Sequence, residues 1–242
     1  MNVTDNAKIK VMPDRDEFHQ IRLLIFDLDG TLVDSELDLT LSVNAVLEQM
    51  GLRTLPRSTV ASYVGQGVTT LMQRALGNQA TTENLEKAVE LFLAYYREHM
   101  LDNTKPYPGA CEALEALGAW KKAVLTNKPV RFSRDLLAGL NMASYFSFIY
   151  GGNSFAQKKP DPIGVMKLME DLECSKEQTL IVGDSDTDVL TARNAGVKVC
   201  GVSYGLGSRT LADTPPDVML CDLRDLAPLL KPGRSDSRQA RV

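Results

Sequence analysis

Residues 23–31 read Leu-Leu-Ile-Phe-Asp-Leu-Asp-Gly-Thr. Four apolar residues run straight into two carboxylates and a glycine, the pattern of a buried strand that ends at a chemically equipped edge. Further short apolar runs follow at 123–126, 148–151, 179–183, 197–203 and 218–221, with helical segments between them. Strand and helix alternating in this way predict an α/β chain whose parallel sheet is covered by helices on both faces.

The spacing between runs is uneven. The stretch from about residue 35 to 105 is far too long for one crossover, and its periodicity is helical throughout. A first helix spans about Glu36 to Met50 and stops at Gly51. In Gln66 to Leu76, Val68, Leu71, Met72, Ala75 and Leu76 fall on one stripe closed by Gly77. Leu85, Ala88, Val89, Phe92, Leu93 and Tyr96 form a longer stripe, with Thr81 or Thr82 placed to cap its first turn. The predicted architecture is a Rossmann-like parallel sheet core over residues 21–35 and 106–231 with an all-helical insert at 36–105. The polar, aperiodic stretches 1–20 and 232–242 are predicted tails.

Composition narrows the function classes. The 242 residues are 44% hydrophobic and 24% charged, with 27 Lys+Arg against 31 Asp+Glu and a net charge of −4. Such a chain lacks the positive field that nucleic-acid backbones attract, so no nucleic-acid partner is expected. No apolar run approaches the roughly 20 residues that span a bilayer, so no membrane partner is expected either. The charged first twenty residues do not resemble a secretory leader, and Cys111, Cys174, Cys200 and Cys221 show no C-x-x-C pair. Reduced core thiols and a cytoplasmic location are the corresponding expectations.

In a parallel α/β sheet, ligands bind outside the carboxyl ends of the strands, so the residues that end each run are where chemistry is sought. The first run ends in Asp27-Leu28-Asp29-Gly30-Thr31 and the fourth in Gly183-Asp184-Ser185-Asp186-Thr187-Asp188. Carboxylates brought together at one edge repel each other unless a cation joins them, and an all-oxygen donor set beside an anion fits Mg²⁺. Turn formation alone would explain one D-x-D-G, not two such clusters in register. Calcium in an EF-hand is the other reading of Asp184, Asp186 and Asp188, but that loop needs Gly and Glu where this chain has Val189 and Ala195. The second run ends in Thr126-Asn127-Lys128, and Lys158-Lys159-Pro160 precedes a later helix. A hydroxyl and a lysine beside the carboxylates suit an anion, with phosphate the obvious guest. Lys158 is taken as a surface charge and Lys159 as a site residue. His19 and His99 lie far from these strand ends, and no phosphate-binding P-loop is present.

These residues resemble the haloacid dehalogenase-like hydrolases. Four signatures of that family match in order: Asp27-x-Asp29-Gly30-Thr31, Thr126, Lys159 before Pro160, and Gly183-Asp184-Ser185-x-x-Asp188. The resemblance covers about residues 21–231 and implies that the 36–105 insert is the family's cap. It implies further that Asp27 is the nucleophile and forms an aspartyl-phosphate, and that Asp29 is the general acid and base. Thr126 and Lys159 would then bind the phosphoryl oxygens, with Asn127 a further substrate-binding candidate. By the same resemblance, Mg²⁺ would be held by Asp27, the Asp29 main-chain carbonyl and Asp184, with Asp188 assisting through water or by orienting Lys159. Two carboxylates in different surroundings can divide the roles of nucleophile and acid.

Within that family the chain is similar to bacterial phosphoglycolate phosphatases through Tyr63-Val64-Gly65-Gln66-Gly67, Leu71-Met72-x-Arg74-Ala75-Leu76-Gly77, Thr126-Asn127-Lys128-Pro129 and Gly201-Val202-x-Tyr204-Gly205. It departs from them at Asn153, where they often carry Asp. The expected substrate is a small phosphorylated metabolite, 2-phosphoglycolate first, with Gly65, Gln66 and Gly67 offering main-chain amides at a helix start to its carboxylate. Arg74 is expected on a solvated helix face. A sugar-phosphate phosphatase, a pyrophosphatase and a β-phosphoglucomutase share the same apparatus, and a non-catalytic phosphate-binding regulator is a remote alternative. A monomer or a homodimer suits all of these.

Overall fold

A computed structural model describes residues 18–231. The expected tails at 1–20 and 232–242 therefore lie, apart from residues 18–20, outside the described residues. Phe18, at the near edge of the first of them, is buried in the core at 1% exposure rather than trailing in solvent.

The central sheet has six parallel strands: β1 (Leu23–Phe26), β4 (Lys121–Leu125), β5 (Phe148–Tyr150), β6 (Thr179–Gly183), β7 (Lys198–Val202) and β8 (Val218–Leu220), in the order β5-β4-β1-β6-β7-β8. Because side chains alternate across a strand, each apolar run feeds two cores. Leu24, Phe26, Val124, Leu180 and Val182 point to one face, where α5 (Ala110–Ala116), α6 (Val130–Gly139) and α9 (Leu226–Leu230) pack. Leu23, Ile25, Ala123, Leu125 and Ile181 point to the other, against α7 (Ile163–Asp171) and α8 (Asp186–Ala195). Burial on both faces explains why these runs are continuously apolar instead of alternating.

The insert is formed by α1 (Glu36–Gln49), α2 (Arg57–Ala61), α3 (Val68–Leu76) and α4 (Thr82–His99). Thr81 caps α4, its hydroxyl accepting from the Asn84 amide at 3.2 Å. The apolar stripes of α3 and α4 join the first of the two cores, so Met72, Phe92 and Tyr96 are buried in the same cluster as Phe26. Two features carry no periodic signal: the short α2, and an antiparallel ribbon of β2 (Val33–Asp34) with β3 (Lys105–Pro106) where the chain enters and leaves the insert.

Beside that ribbon the buried Asp38 carboxylate accepts from the Asn103 amide, the Asn103 side chain, and the amide and hydroxyl of Thr104, the last two at 2.7 Å. The four cysteines are free thiols. Among the described residues no helix is long and apolar enough to cross a membrane.

Candidate active site

The register places the polar strand ends on one edge. Phe26 pairs with Val124 on one side and Val182 on the other, and the Asp27 amide continues the ladder to Val182 O at 2.9 Å. Asp27, Thr126 and Asp184 therefore emerge together. Carboxylate oxygens of Asp27, Asp184 and Asp188 lie within 4.8 Å of one another, all three residues buried. Asp184 stands just before α8 and Asp188 within its first turn. Ser185 makes a capping box with Asp188, whose Oδ2 accepts from the Ser185 amide and hydroxyl at 3.1 and 2.8 Å. Asp184 Oδ2 accepts from the Gly207 amide at 2.8 Å.

Lys159 lies among these acids, its Nζ 2.9 Å from Asp27 Oδ1 and 2.7 Å from Asp188 Oδ1. Burial opposes its charge, but Asp188 and Asp27 outweigh that and raise its pKa. One ammonium does not neutralise three carboxylates. Burial chiefly pushes Asp27 up to about 6, with Asp188 adding to the rise and Lys159 opposing it. Asp184 is raised well above the usual carboxylate range by burial first, then by Asp188 and Asp27. Groups this reluctant to ionise side by side are what a hard divalent cation relieves, and an all-oxygen donor set fits one.

Asp29 faces elsewhere. Its carboxylate is outside that cluster and is held by the Ser35 hydroxyl at 2.6 Å and by Lys128 Nζ at 2.9 Å from both oxygens. The two strand-end aspartates thus have different surroundings, one beside Lys159 and the acidic cluster and the other beside its own lysine.

Glycines fit the backbone around Asp184. Gly30 has φ +88°, and a Cβ there would run into the Asp184 carboxylate; one at Gly205 would meet both Asp184 and the Gly30 carbonyl. Thr126 is buried, and its hydroxyl accepts from the Lys128 amide at 3.3 Å. Asn127 Nδ2 donates to Lys159 O at 3.1 Å and across the interface to Gly65 O at 2.9 Å.

A cavity of about 50 Å³ lies between core and insert, with Asp27, Asp29, Thr126 and Lys128 on one side and Gly65, Gly67, Leu71 and Tyr96 on the other. Gln66 instead faces a wider cleft, its side chain accepting from Arg74 at 2.8 Å. The turn shows two carbonyls to the core: Gly65 O to Asn127, and Gln66 O to Lys158 Nζ at 2.6 Å. Lys158 is solvent-exposed as expected, yet it is also a strap between the two parts. Arg74 is exposed and bonded within its own layer. Asn153 Oδ1 accepts from the Val130 amide at 2.9 Å and so caps α6, a task an aspartate performs equally well.

The family model for haloacid dehalogenase-like hydrolases matches residues 24–202. The chain belongs to that family. This hydrolase is 38% identical over 226 residues to a phosphoglycolate phosphatase of Neisseria meningitidis, covering 89% of this chain and 96% of the relative. It is 37% identical over 212 residues to a phosphoglycolate phosphatase of Aquifex aeolicus, covering 87% of this chain and 97% of that one. A crystal structure described as a predicted phosphoglycolate phosphatase from Haemophilus somnus superposes with a TM-score of 0.83 at 33% identity, covering 88% of this chain and 99% of the other.

Reading the sequence of this hydrolase missed Lys128 and Tyr96. Lys128 sits in the quoted Thr126-Asn127-Lys128 strand end, which was signal enough to make it a site candidate. Tyr96 is one more member of an apolar stripe, and periodicity does not say that it lines a cavity.

Proposed function

We propose that the protein is a Mg²⁺-dependent phosphatase that hydrolyses 2-phosphoglycolate to glycolate and phosphate through an aspartyl-phosphate on Asp27. The observation that carries the reading is the size and position of the cavity. It opens on Asp27 and Asp29 and measures about 50 Å³, room for roughly three to five water-sized guests. With the phosphoryl group at Asp27, the space that remains suits a two-carbon leaving group better than a hexose ring. The relatives named phosphoglycolate phosphatase, matched along nearly their whole lengths, support the same substrate.

The chemistry follows from the side chains. An Asp27 carboxylate oxygen attacks phosphorus, the bond to the ester oxygen breaks, and that oxygen takes a proton from Asp29. Water then attacks the acyl phosphate and gives its proton to Asp29, which restores both aspartates. Lys159, Thr126 and Asn127 surround the phosphoryl oxygens, and a cation there offsets charge that grows in the transition state. Gly65, Gln66 and Gly67 close the site over the substrate, the turn being tied down through Asn127 and Lys158. Asp27, the Asp29 main-chain carbonyl and Asp184 would hold Mg²⁺, with Asp188 fixing Lys159. When bound, the ion supplies positive charge that lets an anionic nucleophile approach an anionic phosphate.

The test is one substrate panel with Mg²⁺. Phosphoglycolate should exceed β-glucose-1-phosphate and pyrophosphate in kcat/KM by orders of magnitude, and Asp27→Asn should abolish phosphate release. Equal rates across the panel would leave only a generalist phosphatase, and normal turnover by Asp27→Asn would remove the nucleophile assignment.

A further inference from the structure

The phosphatase reading leaves two polar groups in the cavity unused. Lys128 is buried at 7% exposure, and two of its three N–H donors are directed at the Asp29 oxygens, 2.9 Å away. On its other side, 4.6 Å from Nζ, lies the ring centroid of Tyr96 from α4. The Tyr96 hydroxyl is buried with no well-aligned hydrogen bond among the described residues; the Lys128 ammonium within its reach can only donate to it, and a buried O–H left without an acceptor is costly unless a ligand completes it. Leu39, Val68, Leu71 and Phe92 supply apolar wall around the pair, which strengthens any charge pairing made between them.

Geometry assigns these groups a partner. If Asp29 protonates the ester oxygen, that oxygen sits against Asp29, and so next to Lys128. In a phosphorylated 2-hydroxy acid the carboxylate carbon is two bonds from that oxygen, about 2.5 Å away by standard bond lengths. A carboxylate there falls where the Lys128 ammonium and the Tyr96 O–H can both reach it. The glycine turn is less suited to that task, since the carbonyls of Gly65 and Gln66 are turned to donors on the core.

We propose that Lys128 and Tyr96 together form the subsite that recognises a carboxylate on the leaving alcohol, so that selectivity for phosphorylated 2-hydroxy acids is set by one core residue and one insert residue. This rests on the phosphatase reading and deepens it.

The test compares kcat/KM for 2-phosphoglycolate and for 2-hydroxyethyl phosphate, whose leaving group is similar in size and uncharged. The wild-type enzyme should prefer the acid. In Lys128→Met the preference should fall by about ten- to a hundredfold, as loss of a charge-assisted contact implies, and in Tyr96→Phe by roughly three- to tenfold. Lys128→Arg should regain part of the preference lost in Lys128→Met. Tyr96→Phe keeps the buried ring and so serves if Lys128→Met does not fold. A wild-type preference that survives both Lys128→Met and Tyr96→Phe, or Tyr96→Phe alone if that is the only folded variant, would overturn the inference and leave the substrate reading intact. A wild-type enzyme with no preference would overturn both.

Discussion

Lys159→Met tests the electrostatics on which the site depends. The lysine side chain is 3% exposed and sits 2.9 Å from one buried carboxylate and 2.7 Å from another, with Asp184 in the same cluster. Removing one partner of a buried ion pair costs about 3–5 kcal/mol, because the charge left behind has lost both water and partner. Here one ammonium serves two acids, so a loss near the upper figure is expected, set against a total of roughly 5–15 kcal/mol for a folded domain.

The cost should depend on solution conditions. Asp27 already ionises only at about 6 with Lys159 beside it, chiefly because it is buried. Without the lysine its ionisation is harder still, so at pH 5 the acids of the variant take up protons and shed much of the penalty, whereas at pH 8 they do not. Mg²⁺ should restore stability by a linkage that reaches about 2.7 kcal/mol at a hundredfold excess over its dissociation constant. Urea denaturation reports all of this, with the half-buried Trp120, bonded to Ile21 O at 3.0 Å, as the fluorescence probe. Activity should fall by roughly a hundred- to a thousandfold or more, the size of effect seen when a transition-state charge contact is removed. A loss under about 1 kcal/mol in EDTA at pH 8, against the expected 3–5, or an equal loss at pH 5, would refute the reasoning.

Three further outcomes follow from other parts of the structure. Asp38→Ala strips the acceptor from the buried Thr104 amide and hydroxyl; at about 1–3 kcal/mol for each buried unsatisfied group, urea denaturation should show a loss of at least about 2 kcal/mol. In EDTA the wild-type protein should be less stable at pH 8 than at pH 5. The Asp27 pKa is raised from 3.8 in the unfolded chain to about 6 in the fold, so its contribution is complete below the lower value and is lost as pH rises through the higher. Equal stability at the two pH values would count against the buried-carboxylate account. Gly205→Ala pushes a methyl group into Asp184 and the Gly30 carbonyl, so the Mg²⁺ concentration for half-maximal activity should rise about tenfold or more, the usual scale for disturbing a ligand's support; an unchanged value would show that the loop yields.

What the sequence reveals is what repeats or ends a run. Asp27 and Asp184 could be placed on one edge because each follows an unbroken apolar strand, and the stripe from Leu85 to Tyr96 predicted α4 with its cap at Thr81 or Thr82, of which the structure uses Thr81. Pairings between distant polar residues have no such signature. Lys128 and Asp29 are 99 residues apart, and nothing local to either indicates the other. Asp38 has the look of an ordinary acidic residue in a first helical turn, until Asn103 and Thr104 return beside it. The β2–β3 ribbon has two residues in each strand, too few to alternate. Lys158 illustrates the opposite difficulty, since a solvent-exposed lysine carries no mark of the insert carbonyl it holds.

The same contacts explain how a site with so small a cavity admits a substrate. Close to the catalytic edge, core and insert are tied by Asn127 to Gly65 O and by Lys158 to Gln66 O. Water can replace both when they open, at about 0.5–1.5 kcal/mol each. At the other end, beside the β2–β3 ribbon, Asp38 makes buried bonds to Thr104 whose rupture would strand several polar groups. Strength is therefore concentrated where the chain crosses between the two parts, and the weak contacts lie over Asp27. The apolar surface shared by Leu71, Phe92 and Tyr96 favours the closed form, which in the proposed reaction would keep bulk water from the acyl phosphate while the leaving group is in place. A leaving group too large for the cavity would hold those two weak ties open, so on the proposed function size selection and water exclusion would arise from one arrangement.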